Sequence, residues 1–356
     1  MVLSSFAQEC TPATLLQKPG DWKEGLKGST SGISTADLAR QKSVVGVLHA
    51  MIKSKYVPMG VSADFNGAYD APQSVMPGNA YSYNIIPLNY YCEGSAIKTN
   101  PETSTLFSIK VNFFDAEIYD AAQGDRALAE GFNVMTNLPI EKDGCWYFKN
   151  KDESHAPGMP AKTGSWLITY NGKLPYSYVT KKEFLEKRRQ NLTTEMESSS
   201  SGFQNVLKNL EIEKGFKEKE YKGDAAKLQR YMKMDYLPGK ERYEKLLTEN
   251  EKTFKPAFSK IESLAALPGT ELNLPAIVKN DPNDPLSYLF TDDNDPFGKI
   301  LIKPNPAYFN KTLPRSSPQF FSVSIDGNPN DPIAGQAMAD IIKAVDFAKL
   351  KSMLGK

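Results

Sequence analysis

Two acidic residues, Asp115 and Glu117, are the strongest candidates in this sequence for catalytic side chains. They follow a strand-like run that ends at Phe114, and a spacing of two places them on the same side if the strand continues. Glycoside hydrolysis needs two carboxylates about 5–10 Å apart across a cleft. His155, in a loop, could join a carboxylate as a general base or a metal ligand. One hypothesis for function is therefore a hydrolase of glycans or peptides.

The same residues also have a simpler interpretation. Two carboxylates at this spacing are common at ordinary strand ends, and a histidine in a surface loop usually has no catalytic partner. His49 and His155 are the two histidines of the sequence, and they form no H-E-x-x-H zinc site; the G-x-S-x-G elbow and the glycine-rich phosphate loops are absent too. His49 lies beside Leu48 in a predicted helix, where we expect it at the edge of the core. The sequence thus contains no complete catalytic motif and predicts no metal and no cofactor.

Aromatic side chains are concentrated in the first half of the chain. The group comprises Tyr81, Tyr83, Tyr90, Tyr91, Trp146, Tyr147, Trp166, Tyr170, Tyr176 and Tyr178. If several of them share an exposed sheet face, they could stack on sugar rings or on a peptide. The candidate ligand-binding residues are then Tyr90, Trp146, Trp166 and Tyr170. If they point inward they form the core, which the strand pattern of the same segments favours.

The three cysteines are Cys10, Cys92 and Cys145, and no two of them form a C-x-x-C pair. The sequence therefore has neither a zinc knuckle nor a thioredoxin-type motif. Cys92 and Cys145 both lie in strand-like aromatic segments, where a disulfide across neighbouring strands is compatible with an oxidising compartment. Two buried thiols that pack as small apolar groups explain the same positions equally well.

Composition limits the kinds of partner. The 43 basic residues nearly cancel the 42 acidic ones, so the chain lacks the overall positive field that draws proteins to nucleic acid or to an anionic membrane. No apolar run reaches the roughly 20 residues of a membrane-spanning helix. With 356 residues the chain is long enough for about two domains. The expected partner is an unknown small molecule, glycan or protein, without nucleic acid and without a membrane span.

The elements that would position these side chains fall into four segments. Residues 1–33 are rich in Gly, Ser and Lys and are predicted to be a linker or N-terminal extension. Residues 34–179 begin with a helix, with Ser34 or Thr35 as its N-cap, and continue with strand-like runs in which apolar and polar residues alternate. A helix followed by antiparallel strands predicts an α+β fold in which the helix packs on the sheet, as in cystatin-like or cone-shaped folds.

Residues 180–267 are predicted to be a charged helical hairpin or bundle. Thr180 begins a capping box, and apolar residues recur beyond it at helical spacing in a narrow stripe. Gly202, Gly223 and Pro238 are the expected breaks between about three helices. A hairpin of this length could present a partner-binding surface away from the rest of the chain.

Residues 268–356 are rich in Asn-Asp-Pro turns, which separate short strands and suggest a compact sheet in this region. Asp292, Asp293 and Asp295 in these turns could supply oxygen ligands for calcium, but they do not match a calcium-binding loop, and N-capping or turn formation explains them more simply. Asp331 and Pro332 mark the start of a C-terminal helix. The apolar face of that helix is expected to close the sheet.

Two segments, residues 166–185 and 303–323, resemble segments of uncharacterised exported proteins of Bacteroidetes-type bacteria. The resemblance implies export and names no activity, so it adds no site residue. The first ten residues are too short for a signal peptide and lack its charged flank, but residues 6–8 look like what remains of a small-residue cleavage site before a polar mature start. Both observations predict a bacterial protein of the periplasm or the cell exterior. The leading hypothesis is an exported, non-catalytic protein that binds a ligand or a partner, and the alternative is the hydrolase described above.

Overall fold

The computed structural model describes residues 10–26, 28–69, 78–103, 105–113, 130–135, 138–148, 161–295 and 297–356. The fold is α+β, as predicted, and the chain divides into two compact units. The first unit comprises Met1–Gln123, Asn133–Ser177 and Ile302–Lys356, and the second comprises Gly124–Phe132 and Tyr178–Leu301. No helix in the described segments is both long enough and apolar enough to cross a membrane.

Helices and strands follow one another in this order along the chain. The helices are α1 (Pro12–Leu16), α2 (Thr35–Lys53), α3 (Lys181–Glu220), α4 (Ala225–Tyr231), α5 (Leu237–Ala265), α6 (Gly269–Leu272), α7 (Pro332–Ala344) and α8 (Phe347–Met353). The strands are β1 (Trp22–Glu24), β2 (Val61–Tyr69), β3 (Tyr81–Glu93), β4 (Ala96–Thr99), β5 (Leu106–Val111), β6 (Asn133–Met135), β7 (Ile140–Lys142), β8 (Cys145–Phe148), β9 (Ala161–Ile168), β10 (Tyr176–Tyr178), β11 (Ile277–Asp281), β12 (Asp284–Phe290), β13 (Lys299–Pro304) and β14 (Phe321–Gly327).

The first unit is built on a nine-stranded sheet with the order β1-β2-β3-β5-β14-β9-β8-β7, in which β4 also pairs with β3. Neighbouring strands are antiparallel except β1 and β2, which are parallel. β14 lies in the middle of the sheet, where Val323 pairs with Ile109 of β5 and with Trp166 of β9. The C-terminal region therefore does not form one sheet of its own, because β14 pairs with strands that are distant in the sequence.

Helices α2, α7 and α8 pack on one face of this sheet. Ser34 caps α2, as predicted, by accepting a hydrogen bond from the Asp37 amide at 3.2 Å. Leu48 and Ile52 of α2 are fully buried in the core, together with Tyr83 of β3. The predicted packing of an N-terminal helix on an antiparallel sheet is confirmed.

The segment before Ser34 is more ordered than the linker that its composition predicted. Thr11 forms a capping box at the start of α1, and Trp22 of β1 pairs with Ala63 of β2. Leu15 of α1 is buried in a small apolar cluster that also contains side chains of β3 and α7. The composition of the segment does not predict these short elements, because residues distant in the sequence stabilise them.

Cys10 forms a disulfide with Cys92 of β3, and their Cα atoms are 5.8 Å apart. Cys145 of β8 is a free, buried thiol. The Cys92–Cys145 disulfide considered from the sequence is therefore wrong. Strands β5, β14 and β9 lie between β3 and β8, and at about 4.8 Å per strand the two residues exceed the roughly 7 Å Cα separation that a disulfide allows.

Two long helical segments dominate the second unit. α3 starts at the predicted capping box, in which the Thr180 hydroxyl accepts from the Glu183 amide at 3.2 Å. The break predicted at Gly202 is wrong, because α3 runs through it for 40 residues and one glycine costs a helix only about 1 kcal/mol relative to alanine. The break near Gly223 is confirmed, and this glycine has a φ of 100°.

The break predicted at Pro238 takes the form of a π-helical turn. α4, the π-helix Met232–Tyr236 and α5 follow one another without a gap, and Pro238 is the second residue of α5. Proline lacks an amide hydrogen, and in an α-helix its ring clashes with the carbonyl four residues earlier. The wider π-helical turn before it accommodates the ring. The hydrogen bonds change there from the α-helical to the π-helical pattern, and the helical segment continues.

Candidate functional site

The three candidate catalytic residues, Asp115, Glu117 and His155, lie outside the described residues, so the hydrolase hypothesis stays a prediction. Within the segments that the structure describes, no group of three or more His, Cys, Asp and Glu side chains could hold a metal ion. Asp295 accepts hydrogen bonds from the Lys279 ammonium at 2.6 Å and the Thr291 hydroxyl at 2.7 Å. These bonds lower the pKa of Asp295 to about 2 and agree with its predicted role in a turn.

Trp146 and Trp166, two of the candidate ligand-binding residues, lie on opposite faces of the first sheet. In the β8–β9 pair Trp146 is opposite Leu167, whereas Trp166 is opposite Tyr147, and successive residues of a strand point to opposite sides. The Trp166 ring is 5.3 Å from the Tyr147 ring and 5.9 Å from the Phe347 ring of α8. Trp166 therefore takes part in the packing of α8 on the sheet.

Tyr90 and Tyr170, the other two candidates, also have structural partners. Tyr90 is 8% exposed, and the Lys18 ammonium lies 5.2 Å from its ring. The Tyr170 ring is 5.5 Å from the Tyr308 ring, and its hydroxyl donates to the Pro318 carbonyl at 3.5 Å. Burial raises the pKa of both Tyr90 and Tyr170. The four candidates do not form a common aromatic surface for a sugar or a peptide.

The sheet face opposite the helices carries a row of short polar side chains. At one register across five neighbouring strands lie Asn66, Asn84, Ser108, Ser324 and Ser165. Ser108 donates to Asn84 Oδ1 at 2.8 Å, and Asn84 Nδ2 donates to Asn66 Oδ1 at 2.9 Å. The alternation in β5 predicts a wet face here, yet the three serines are at most 3% exposed. A ligand in solution cannot reach these hydroxyls, and the row joins neighbouring strands.

His49 lies at the edge of the core of the first unit. Its Nδ1 is 3.1 Å from the Tyr83 hydroxyl, and its ring stacks on Phe65 with centroids 3.8 Å apart. Burial, and then the nearby Lys53 charge, lower the pKa of His49. These contacts favour the neutral imidazole and give His49 a packing role.

An open groove lies in the second unit between the first turns of α3 and the last turns of α5, with α6 beside it. We call it the helix groove. Its volume is about 410 Å³, within the roughly 300–1,000 Å³ that is typical of ligand sites. The described residues that line it are Lys182, Leu185, Glu186, Arg189, Ile261, Glu262, Ala265, Ala266 and Leu272.

The floor of the helix groove is apolar. Leu185 is 3% exposed and Ile261 is 6% exposed. Ala265 and Ala266 at the end of α5 are exposed, and their short side chains leave the space open. Leu272 of α6 adds an apolar group at the side. A leucine-sized side chain placed on this floor would be removed from solvent. Complete burial of such a side chain contributes about 1.5–3 kcal/mol to the free energy of binding.

The rim of the helix groove carries balanced charge. Lys182 and Arg189 are its described basic residues, and Glu186 and Glu262 are the acidic ones. Arg189 Nη2 and Glu262 Oε1 are 3.5 Å apart, and both side chains are 60% exposed. An ion pair this exposed contributes little to stability, so both groups can turn towards a bound molecule at little cost.

Capping and side-chain contacts fix the walls of the groove. The Thr180 capping box sets the first turn of α3. In that turn the Lys181 amide donates to the Leu274 carbonyl at 3.0 Å, and the Lys181 ammonium is 3.1 Å from Glu271 Oε1. These contacts hold α6 against the start of α3, and the groove is open beside them.

A buried ion pair anchors α3 next to the groove. Arg188 Nη1 lies 2.9 Å from Glu130 Oε1, and the two side chains are 7% and 2% exposed. Arg188 Nη2 donates to the Leu286 carbonyl of β12 at 2.8 Å, and Asn191 Nδ2 donates to Glu130 Oε2. Burial raises the pKa of Glu130, although the Arg188 charge and the Asn191 amide act in the opposite direction. The pair fixes the rotation of α3 and therefore the position of the groove wall.

Sequence patterns indicated only part of this site. Ile261 belongs to the predicted apolar stripe, whereas nothing in the sequence marks Glu130 as the partner of a helix residue. One signal was available for Arg188: it lies four residues after Phe184 and four before Leu192, both of which are buried. A charged residue within a buried stripe requires a buried partner, but the sequence does not say which one.

The chain matches no protein-family model, no curated protein and no solved structure. Its function has to be inferred from its own residues and geometry. The helix groove is the candidate functional site, because it combines a volume of about 410 Å³ with an apolar floor and an accessible charged rim.

Proposed function

We propose that this protein is a non-catalytic binding protein that holds an apolar residue of another polypeptide in its helix groove. The observation that supports this function is the open groove volume of about 410 Å³ above a floor formed by the buried Leu185 and Ile261. Such a site gains free energy chiefly by removing an apolar side chain from water.

The rim favours a polypeptide over a small charged metabolite. Its two basic and two acidic side chains, described above, give no net field that would select an anion or a cation. Residues that flank an apolar anchor in a peptide present backbone donors and acceptors as well as side chains of either charge. A central apolar anchor with a polar rim is the usual anatomy of a protein interface.

We also propose that the protein works in an oxidising compartment, either the periplasm or the cell exterior. The Cys10–Cys92 disulfide supports this proposal, because disulfides persist mainly outside the reducing cytoplasm. The protein is extracted from its native cells and denatured without a reducing agent. A maleimide reagent should then label Cys145 alone. Labelling of all three cysteines before reduction would contradict the proposed compartment.

Two peptide pools test the proposed binding function. Both contain fluorescein-labelled seven-residue peptides whose six outer positions are random among polar residues, with leucine at the centre of one pool and serine at the centre of the other. We expect fluorescence anisotropy to give a half-saturation concentration at least about tenfold lower for the leucine pool, since burying a leucine contributes about 1.5–3 kcal/mol. Equal binding of the two pools would overturn the proposal.

Matched tryptophan variants locate the site of binding. Ala266→Trp fills the helix groove, whereas Ala226→Trp adds the same side chain at an exposed position of α4 outside it. We expect Ala266→Trp to abolish the preference for the leucine pool and Ala226→Trp to keep it. Circular dichroism and thermal midpoints close to those of the parent chain establish that both variants are folded. Retention of the preference in Ala266→Trp would show that the peptides bind elsewhere.

A further inference from the structure

A second groove lies in the first unit, along one side of α2. We call it the α2 groove. Its volume is about 470 Å³. The described residues that line it are Ala36, Ala39, Arg40, Ser43, Val44, Pro318, Met353 and Lys356. All of them belong to the first unit, so this groove is independent of the function proposed above.

Five of the eight described residues that line the α2 groove are apolar. Val44 and Met353 are partly buried and pack against the core of the first unit. Ala36 and Ala39 are exposed, and their small side chains leave the surface of α2 open. Residues 36 to 44 of a helix span about 12 Å at 1.5 Å per residue. This length suits a linear apolar chain that lies along the helix.

The charge at the α2 groove is one-sided. Arg40 and Lys356 are exposed, and the described lining residues include no Asp or Glu. Asp37, the acidic residue of α2, does not line the groove; its carboxylate accepts hydrogen bonds from the Ser316 hydroxyl at Oδ1 and from the Ser34 hydroxyl at Oδ2, both at 2.8 Å. The groove therefore presents the exposed Arg40 guanidinium beside an apolar surface, which is complementary to a ligand with an anionic head and an apolar body.

We propose that the α2 groove binds an alkyl carboxylate, with its chain along α2 and its carboxylate at Arg40. A guanidinium presents two parallel N–H donors that match the two oxygens of a carboxylate. Val44 and Met353, which line the same groove, would contact the chain. A neutral alcohol of the same length keeps only the apolar contacts, and a short carboxylate keeps only the charged ones.

Titration of the full chain with octanoate, 1-octanol and acetate tests this proposal. We expect calorimetry to show saturable binding of one octanoate per chain. Octanol should bind at least about tenfold more weakly, because it lacks the charge-assisted hydrogen bonds, and acetate should give no measurable heat. Absence of octanoate binding overturns the proposal, and so does an affinity for octanol equal to that for octanoate.

Paired variants test whether octanoate binds in the α2 groove. Arg40→Glu reverses the charge at the proposed carboxylate site and should weaken octanoate binding at least about tenfold. Lys42→Glu makes the same change in net charge at an exposed residue of α2 outside the lining, and should leave the affinity within about twofold, since salt screens exposed charges. Equal weakening by both variants would show a general charge effect and overturn the proposal.

A steric pair gives a second, independent readout. Ala39→Trp fills the groove, whereas Ala50→Trp adds the same bulk at an exposed position of α2 outside it. We expect octanoate binding to be lost in Ala39→Trp and kept in Ala50→Trp. Thermal midpoints confirm that both variants are folded. Unchanged binding in Ala39→Trp would place the ligand elsewhere and overturn the assignment.

Discussion

Arg188 and Glu130 form an ion pair of 2.9 Å although their side chains are only 7% and 2% exposed. A buried charge that loses its partner keeps its full desolvation cost. We therefore expect Arg188→Met to lower the free energy of unfolding by about 3–5 kcal/mol, and Glu130→Leu to lower it by less, because Arg188 Nη1 keeps Glu195 Oε1 at 3.2 Å. The double variant should lose clearly less than the sum of the two. Urea unfolding followed by circular dichroism measures all three values.

The neighbouring Arg189 provides the control for this prediction. Its side chain is 60% exposed, so Arg189→Met should change the free energy of unfolding by less than about 0.5 kcal/mol. Additive losses in the Arg188→Met/Glu130→Leu double variant would contradict the prediction, because they would mean that the two side chains stabilise the fold independently.

The Cys10–Cys92 disulfide should contribute strongly to the stability of the first unit. It joins residues 82 positions apart and thereby reduces the conformational entropy of the unfolded chain. Cys10→Ser, Cys92→Ser and the double variant should each lower the free energy of unfolding by roughly 2–5 kcal/mol. The three losses should be similar, because each variant removes the same bond.

Chemical reduction separates the disulfide from the effects of the serine side chains. A reducing agent should lower the thermal midpoint of the parent chain and of Cys145→Ala, and should leave that of the Cys10→Ser/Cys92→Ser variant unchanged. A parent chain whose midpoint does not respond to reduction would refute a stabilising role for the bond.

Local signals in the sequence predicted the helix starts well. Thr180 and Asp331 both cap a helix as expected, and the Asp331 carboxylate accepts from the Ile333 and Ala334 amides. Caps of this kind act within one turn of the backbone, so the residues that decide them are adjacent in the sequence. Gly202 is different: it was predicted to end a helix, but α3 continues through it. The low helix propensity of one glycine is not sufficient to break a helix of this length.

Pairings between distant segments could not be predicted. The position of β14 between β5 and β9, the choice of Cys10 as the partner of Cys92, and the burial of Glu130 against Arg188 each depend on tertiary packing. The helix groove is a similar case. Its floor residue Ile261 belongs to a predicted stripe, but the open space arises from the placement of α6 and of two alanines, which periodicity does not reveal.

His49 should make the first unit less stable at mildly acidic pH. Burial, and then the Lys53 charge, lower the pKa of His49 from 6.5, so the unfolded chain binds a proton more readily than the folded one. The contribution of neutral His49 to the free energy of unfolding is fully present above pH 6.5. It is lost as the pH falls from there through the lowered pKa of the folded state. Thermal midpoints between about pH 7.5 and 5.5 should fall with pH, and His49→Gln should flatten that slope.

His155, the other histidine of the sequence, provides the comparison for this effect. His155→Gln measures how much of the dependence of the thermal midpoint on pH comes from His155. The His49→Gln/His155→Gln double variant tests whether the contributions of the two histidines add. A slope in His49→Gln equal to that of the parent chain would show that His49 does not titrate differently in the folded and unfolded states.

Alanine at Gly202 or Gly215 should stabilise α3. Both glycines lie inside the helix, and an added Cβ would meet nothing within 4 Å at either position. Since glycine costs a helix about 0.8–1.0 kcal/mol relative to alanine, each substitution should raise the free energy of unfolding by about 0.5–1 kcal/mol and slow amide hydrogen exchange in α3. Gly20→Ala is the opposite case: its Cβ would lie 1.7 Å from the Val61 carbonyl oxygen, so this variant should be strongly destabilised. Loss of stability in Gly202→Ala would mean that α3 is not a continuous helix there.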